Sequence, residues 1–439
     1  MMSVSTLFSD FLNNIRVDNA ETISSRYGEV TSSLNSFFRE TTSTTANSLQ
    51  VGSYGRYTGI KGISDLDMLY IIPDSLWNDY KYNQYKLLSD TKSAIQKKYP
   101  KTAIFVDRLV VSVEFNDFVI EVQPVFKIIE EDEVYFKYPD TYNGGSWKDT
   151  KPLHEIEAMK EFVDQKNKNL RKLCKMARAW KNKHGVVMNG LLIDTLAYNF
   201  LASTTYYDDK SYSYYDSLNK DFFDFLSKEA NKDFYLALGS RQRVKVKKKF
   251  QSKAQIARDL CLDAITAQDN NESENEICKK WRDVFGKNFP VGAIVQKATA
   301  EKSWTNTEEF IEDVYPVDIE YNVQIDCDIL QDGFREHSLT AMLKRHIPLL
   351  ADKKLLFSVV YCEVPPPYEV KWKILNRGIE AERRDEIRGQ IVSDNKGFQK
   401  REERTKFKGN HLTECYIVKD GVVVARDSIR VPISTNKSI

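Results

Sequence analysis

Asp65 and Asp67 stand two residues apart in a run, Leu66-Asp67-Met68-Leu69-Tyr70-Ile71-Ile72, that is otherwise apolar and β-prone. Such a run predicts a strand, and on a strand residues two apart point to one face. Two carboxylates so placed can share hard divalent cations. Mg²⁺ takes one or two carboxylates together with substrate phosphates, and a pair of ions clamps both the attacking and the leaving oxygen of a phosphoryl transfer. Upstream, Gly52-Ser53-Tyr54-Gly55-Arg56 supplies the complementary half. Gly52 lets backbone N–H groups approach phosphate oxygens, and the Ser53 hydroxyl adds a donor. A two-metal site also needs a third carboxylate from a neighbouring strand. Val110 to Pro124 predicts a hairpin turning at Asn116-Asp117, and its second strand carries Glu121 between apolar neighbours. Glu121 is the expected third ligand. Glu114, on the partner strand, is its rival and reads otherwise as an outward-facing polar residue.

The elements that must position these residues follow from periodicity. Leu7, Phe8, Phe11, Leu12, then Ile23, Tyr27, Val30, Leu34, Phe37 and Phe38 predict one long amphipathic helix over about 5–40, leading into the Gly-Ser turn. Thr41 to Asn47 is a polar linker that could act as a mobile strap. The helical pattern returns between Asp74 and Pro100, and strands follow at about 103–126. That order gives an α+β fold with a mixed sheet, helices on one face and chemistry at the strand ends. Gly144 to Pro152 reads as a loop by composition. From Ile156 to Trp281 the chain is largely helical, and one helix, Leu170 to Lys181, carries Arg171, Lys175 and Arg178 as a basic stripe. Three cations on one face either form salt bridges outward or hold an anion. Asn189 is an expected N-cap for the next helix. The basic run Arg241 to Lys249 could line a phosphate path, but a solvated surface strand is the better reading. Beyond a boundary at Ala298 to Thr307 the chain is β-rich, with a closing hairpin around Lys419-Asp420-Gly421. The expected domains are 1–155, 156–300 and 307–439.

Composition excludes several classes. With 439 residues, 41% hydrophobic and 29% charged, the chain is long enough for two or three globular domains. No window approaches a membrane span, and the N-terminus lacks a basic-then-apolar leader, so a cytoplasmic location is expected. The six cysteines show no Cys-x-x-Cys spacing and read as buried, reduced thiols. A net charge of +1 argues against long nucleic acid as a standing partner.

Taken together, Gly52-Ser53, Asp65-x-Asp67 and Glu121, three residues before Pro124, resemble the motif of the polymerase β-like nucleotidyltransferases. Within them the chain looks most like the bacterial CD-NTases, SMODS-type relatives of cyclic GMP-AMP synthase and oligoadenylate synthetase. It departs from them at the third carboxylate, where they usually carry Asp and this chain has Glu121, one methylene longer but still a hard oxygen donor. The tail, through Tyr368-x-x-x-Trp372, Asn376-Arg377-Gly378, Arg388-Gly389 and Gly409-x-His411, resembles the AGS-C sensor domain attached to some of these enzymes. The resemblance implies a nucleotidyltransferase core with a long N-terminal helix, a helical second lobe and a small sensor domain. It implies two Mg²⁺, with Mn²⁺ an alternative, held by Asp65, Asp67 and Glu121, and nucleoside triphosphates, ATP foremost, as substrates. It further places Lys175 or Arg178 on the triphosphate tail and Asn189 with Gly190 near a base. Ser146, Trp147 and Thr150 become base or ribose contacts, or else a linker pinned by its Trp. A ligand of the tail could meet Arg377, Arg384, Arg388 and His411. The implied product is a cyclic di- or trinucleotide used as an antiphage signal. Two alternatives stay open: an adenylyltransferase acting on RNA ends or a small molecule, and an inert ligand-binding module.

Overall fold

The computed structural model describes residues 2–62, 65–131, 133–292, 309–331, 334–376, 381, 383–384, 388–406 and 408–434. They fall into two compact units, Met2–Ala179 with Asn189–Leu262, and Trp180–Met188 with Asp263–Ile439. Residues 156–300 therefore contribute to both. The boundary expected at Ala298 to Thr307 lies outside the described residues.

The first unit opens with two helices where one long helix was expected, α1 (Val4–Asn14) and α2 (Ala20–Arg39). Ser3 caps α1 by accepting from the Thr6 amide at 3.2 Å, which satisfies one of the donors a helix start leaves open. The apolar repeat is silent between Leu12 and Ile23 except at Ile15 and Val17, and the break falls there. The linker after α2 is no free strap. Asn35 is fully buried and its side chain donates to the carbonyls of Ser43 (2.8 Å) and Ala46 (2.9 Å). Its Oδ1 accepts from Asn47 (2.9 Å) and from the Tyr70 hydroxyl (3.1 Å). All four bonding positions of the amide are thereby used.

The linker enters a mixed sheet built from β1 (Ser48–Gln50), β2 (Asp65–Ile71), β3 (Ala103–Val106), β4 (Val111–Glu114) and β5 (Val119–Glu130), in the order β1-β2-β5-β4-β3. A four-residue helix, α3 (Gly52–Gly55), joins β1 to β2. β2 and β5 are parallel and the other neighbours antiparallel. A parallel pair needs a crossover, here α4 (Trp77–Tyr80), α5 (Gln84–Lys98) and the strands that follow. Alternation decides the faces. Leu66, Met68, Tyr70, Ile120 and Val122 form one core with residues of α2 and α5, which turns Asp65, Asp67 and Glu121 to the opposite face. β6 (Glu133–Asp140) and β7 (Ser146–Thr150) extend the sheet from β5. Within the stretch read as a loop from its glycines, Ser146–Thr150 is thus a strand, because Tyr138, Pro139 and Asp140 supply the ladder for Lys148, Trp147 and Ser146. The helices α6 (Pro152–Gln165), α7 (Asn169–His184), α8 (Gly190–Ala202), α9 (Tyr215–Lys228) and α10 (Gln251–Asp269) follow, with a small hairpin of β8 (Phe234–Leu236) and β9 (Arg243–Lys245). Arg243 and Lys245 are exposed on either side of buried Val244, so this part of the basic run is a solvated strand.

The second unit contains α11 (Glu274–Phe285) and a two-sheet sandwich. One sheet has the order β11-β10-β13-β16, from β10 (Val323–Gln331), β11 (Phe334–Ser338), β13 (Lys354–Cys362) and β16 (Lys400–Arg404). The other has the order β12-β18-β17-β14-β15, from β12 (Leu349–Leu350), β14 (Glu369–Leu375), β15 (Ile391–Val392), β17 (Gly409–Lys419) and β18 (Val422–Ser434). Cys327, Ile329 and Phe357 face Trp372, Cys415 and Ile417 in the shared core. The closing hairpin is present: Lys419 pairs with Val422, and Asp420 (φ 50°) and Gly421 (φ 75°) form its two-residue turn. All six cysteines are free and five are buried. Among the described residues no helix is long and apolar enough to cross a membrane.

Candidate active site

Register brings the acidic residues together. In the parallel ladder Asp67 lies opposite Glu121, and Asp65 opposite Val119. One carboxylate oxygen from each of Asp65, Asp67 and Glu121 lies within 4.8 Å of the others, and all three residues are half-buried. Glu114 sits on β4 opposite Val119 and is exposed, apart from this cluster.

Gly52 is fitted to the same carboxylates. It has φ +60°, and a Cβ there would fall 1.6 Å from Asp67 Oδ2. The glycine is therefore required twice, by its left-handed backbone and by the space the carboxylate occupies. The Val51 amide donates to the Asp67 carbonyl at 3.1 Å, which locks the turn to the strand. Gly55 is equally constrained, since its Cβ would meet the Gln50 carbonyl at 2.3 Å. The Ser53 carbonyl accepts from the amides of Thr58 (2.9 Å) and Gly59 (3.1 Å). Among the described residues its hydroxyl has no hydrogen-bond partner, and the first amides of α3 have no acceptor within the helix.

What sequence reasoning missed lies directly behind this turn. Arg56, the residue after α3, donates through Nε to Asp194 Oδ2 (2.9 Å) and through Nη1 to Glu155 Oε2 (3.2 Å). Arg178 grips the other side of Asp194, at 2.6 Å and 3.1 Å, and also donates to the Gly190 carbonyl at 3.0 Å. Thr58 and Ser240 complete the network with bonds to Asp194 (3.0 Å) and Glu155 (3.1 Å). Complete burial pushes the Asp194 carboxyl up, but Arg178 and Arg56 outweigh it and hold it down at about 2. Burial dominates at Glu155 and raises it. The available signal was an isolated Asp in an apolar helix, Leu191-Leu192-Ile193-Asp194, which implies a buried partner.

This network redirects the basic stripe. Arg178 is buried and its guanidinium is committed to Asp194, so the sequence-based match of Arg178 to a triphosphate gives way to an internal ion pair. Lys175, one turn earlier, is half-buried, and among the described residues it has no carboxylate partner. Burial first, then Arg16, Arg171 and Arg178 around it, lower its pKa. Asn189 caps α8, its Oδ1 accepting from the Leu192 amide at 2.8 Å, which leaves its amide nitrogen and one lone pair of Oδ1 for any ligand. Trp147 donates to the Lys81 carbonyl at 2.9 Å and packs on Trp77 and Phe126, the arrangement of a pinned connection.

Residues 2–162 match the Second Messenger Oligonucleotide or Dinucleotide Synthetase (SMODS) domain, and residues 305–434 match the Adenylyl/Guanylyl and SMODS C-terminal (AGS-C) sensor domain. No curated protein matches the chain. Solved structures similar to it include CdnC of E. coli MS115-1 with ATP, at 16% identity over 66% of this chain and 99% of that one, TM-score 0.46. A Vibrio cholerae DncV cyclic AMP-GMP synthase is 16% identical over 55% of this chain and 69% of that one, TM-score 0.44. A CdnE cyclic dinucleotide synthase of Elizabethkingia meningoseptica is 15% identical over 60% and 99%, TM-score 0.42. With its acidic cluster on the mixed sheet and its terminal sandwich, the chain carries an N-terminal SMODS domain, that of second messenger oligonucleotide or dinucleotide synthetases, and a C-terminal AGS-C sensor domain.

Proposed function

We propose that this chain joins nucleoside triphosphates, ATP among them, into a cyclic di- or trinucleotide with release of pyrophosphate, as a second messenger in antiphage defence. The observation that carries the reading is the convergence of Asp65, Asp67 and Glu121 on one sheet face beside Gly52-Ser53. The donor set fits Mg²⁺, or Mn²⁺: hard carboxylate oxygens, three of them close together, whose coordination substrate phosphate oxygens would complete. Asp65 and Asp67 would hold two ions and Glu121 one of them; bound there, the ions supply charge neutralisation and a more acidic attacking hydroxyl.

The chain's own residues do the positioning. The Ser53 hydroxyl and the open amides at the start of α3 bind the triphosphate, and Lys175 balances its tail. Glu121 accepts the proton of a nucleotide 2′- or 3′-hydroxyl as that oxygen bonds to the α-phosphorus. The bond from phosphorus to the bridging oxygen breaks, and pyrophosphate carries the electron pair away. A second turnover within the bound linear product closes the ring. Incubation with four labelled triphosphates and Mg²⁺ or Mn²⁺, followed by chromatography, tests this. Cyclic product and pyrophosphate without added RNA are expected, with loss of both on Asp67→Ala or on chelation. Product only with an RNA primer would instead identify a terminal adenylyltransferase. No pyrophosphate with any mixture would leave a binding module.

A further inference from the structure

The sandwich carries a half-open cavity of about 590 Å³ whose ligand nothing above identifies. It lies between the sheets: Leu355 and Phe357 of β13 face Ile374 of β14 and Val431 of β18 across it. Its size is that of pockets that bury a small organic ligand. Three polar features distinguish it from a packing defect. Thr413, on the central strand β17, lines the cavity and is 1% exposed, and among the described residues its hydroxyl has no hydrogen-bond partner. Buried hydroxyls are ordinarily bonded, and one left open costs stability until something supplies a partner. Asn376 contributes a carboxamide to the wall.

The third feature is charge. Glu402 and Glu403 both line the cavity, but each is already balanced twice. Glu402 pairs with Lys354 (2.8 Å) and Lys396 (3.3 Å). Glu403 pairs with Arg388 (2.8 Å) and Arg401 (2.8 Å). Arg388, expected from sequence to meet an anionic ligand, is spent on Glu403; Arg384 is exposed, and Arg377 lies outside the described residues. Arg404, by contrast, is an exposed guanidinium at the rim with no carboxylate among the described residues. It is a cation without a carboxylate, among the described residues, in a wall whose acids are satisfied, and a planar guanidinium suits phosphate.

We infer that this cavity binds a planar heteroaromatic anion of nucleoside-monophosphate size, its ring against Phe357 and Ile374, its polar edge on Thr413 and Asn376, and its phosphate on Arg404. An apolar slab with an amide and a hydroxyl reads a base edge, whereas a simple inorganic anion would leave most of the volume unfilled. The site does not depend on the catalytic reading, since binding can be measured without turnover.

The test is calorimetric titration of the full chain, with chelator present, with AMP, GMP, CMP and UMP, and with the parent nucleosides. At least one monophosphate should bind, and its affinity should fall about tenfold or more in Thr413→Val and in Arg404→Ala. The corresponding nucleoside should bind more weakly to the wild type and be indifferent to Arg404→Ala. Lys175→Ala, in the triphosphate-binding region, should leave monophosphate affinity unchanged. Thr413→Val should melt at or above the wild-type temperature without ligand, because it removes an unpaired buried hydroxyl. No binding by any monophosphate, or binding abolished by Lys175→Ala and untouched by the two cavity variants, overturns the proposal.

Discussion

Gly52 carries the sharpest expectation at the scale of a residue. A methyl group there collides with the Asp67 carboxylate 1.6 Å away and forces an alanine into φ +60°. The carboxylate must move by an ångström or more, and misplacement of that size costs on the order of 10²-fold in rate. Gly52→Ala should therefore lose cyclic-product formation to about that extent while the protein still folds, as followed by turnover and circular dichroism together. Lys175 and Arg178 separate in the same way. Lys175→Ala should raise KM for the triphosphate about tenfold with little change in melting temperature, since its ammonium holds no partner in the described chain. Arg178→Met should do the reverse and unfold more easily, because it removes one of the two guanidinium groups that balance the buried Asp194. Equal loss of stability in both variants would show that Lys175 is structural. The acidic triad itself was legible in sequence, because a strand's two-residue period and one hairpin suffice to put Asp65, Asp67 and Glu121 on a face. The role of Arg178 was not, because its partner Asp194 comes from another helix and no local spacing announces it.

At the scale of elements, the Asp194 network ties α3, and hence the Gly-Ser turn, to α6, α7 and α8 through Arg56, Glu155 and Arg178. Removing the charge at Asp194 takes away the buried carboxylate that Arg178 and Arg56 share and leaves Arg56 with Glu155, so Asp194→Asn should cost about 3–5 kcal/mol near neutral pH. The pH dependence has a definite sign. A carboxyl held at about 2 in the folded protein against an ordinary value near 4 stabilises above about pH 4 and loses that contribution as pH falls through 4 toward 2. Denaturant melts from pH 7 to pH 2 should show the gap between wild type and Asp194→Asn closing over that interval. A constant gap would mean that Asp194 is not ionised in the native state. Elements with a strong local signal, such as β2 and the β17–β18 hairpin, were readable. β7 was not, because Gly144-Gly145 and Lys151-Pro152 flank a short polar strand whose support, the ladder to β6 and the packing of Trp147 on Trp77 and Phe126, comes from elsewhere in the chain. The single long N-terminal helix was likewise over-read, since a silent gap in the apolar repeat looks like continuation unless the missing positions are counted.

For the whole molecule, chain order and compact units do not coincide. The sandwich shares its unit with Trp180–Met188 and with residues from Asp263 onward. Val187 is buried with Tyr416, Val418 and Val423. Lys181 pairs with Asp318 at 2.6 Å, and Asn182 donates to the Val317 carbonyl at 2.9 Å while its own carbonyl accepts from Arg426 at 3.2 Å. Arg426 in turn holds Glu414 at 2.7 Å in the interior, where Lys373 and Lys183 also lie close, at 3.7 Å and 3.8 Å. Burial raises the Glu414 carboxyl, yet these three cations outweigh it and leave it well below the usual carboxylate range. A fragment limited to residues 305–434, the span the sensor family matches, would lose Val187 from its core, about 1.5–3 kcal/mol of apolar burial. It would also open the Glu414–Arg426 pair to water on one side. Such a fragment should melt roughly 5–10 °C below the corresponding transition of the full chain, and should bind a hydrophobic dye that the full chain does not. Glu414→Gln in the full chain should destabilise that transition in the same direction, by about 3–5 kcal/mol, because it removes the buried carboxylate that Arg426, Lys373 and Lys183 share. If the fragment melts as the full chain does, Trp180–Met188 rests on the sandwich without supporting it, and the sensor is a self-sufficient fold with its own limits.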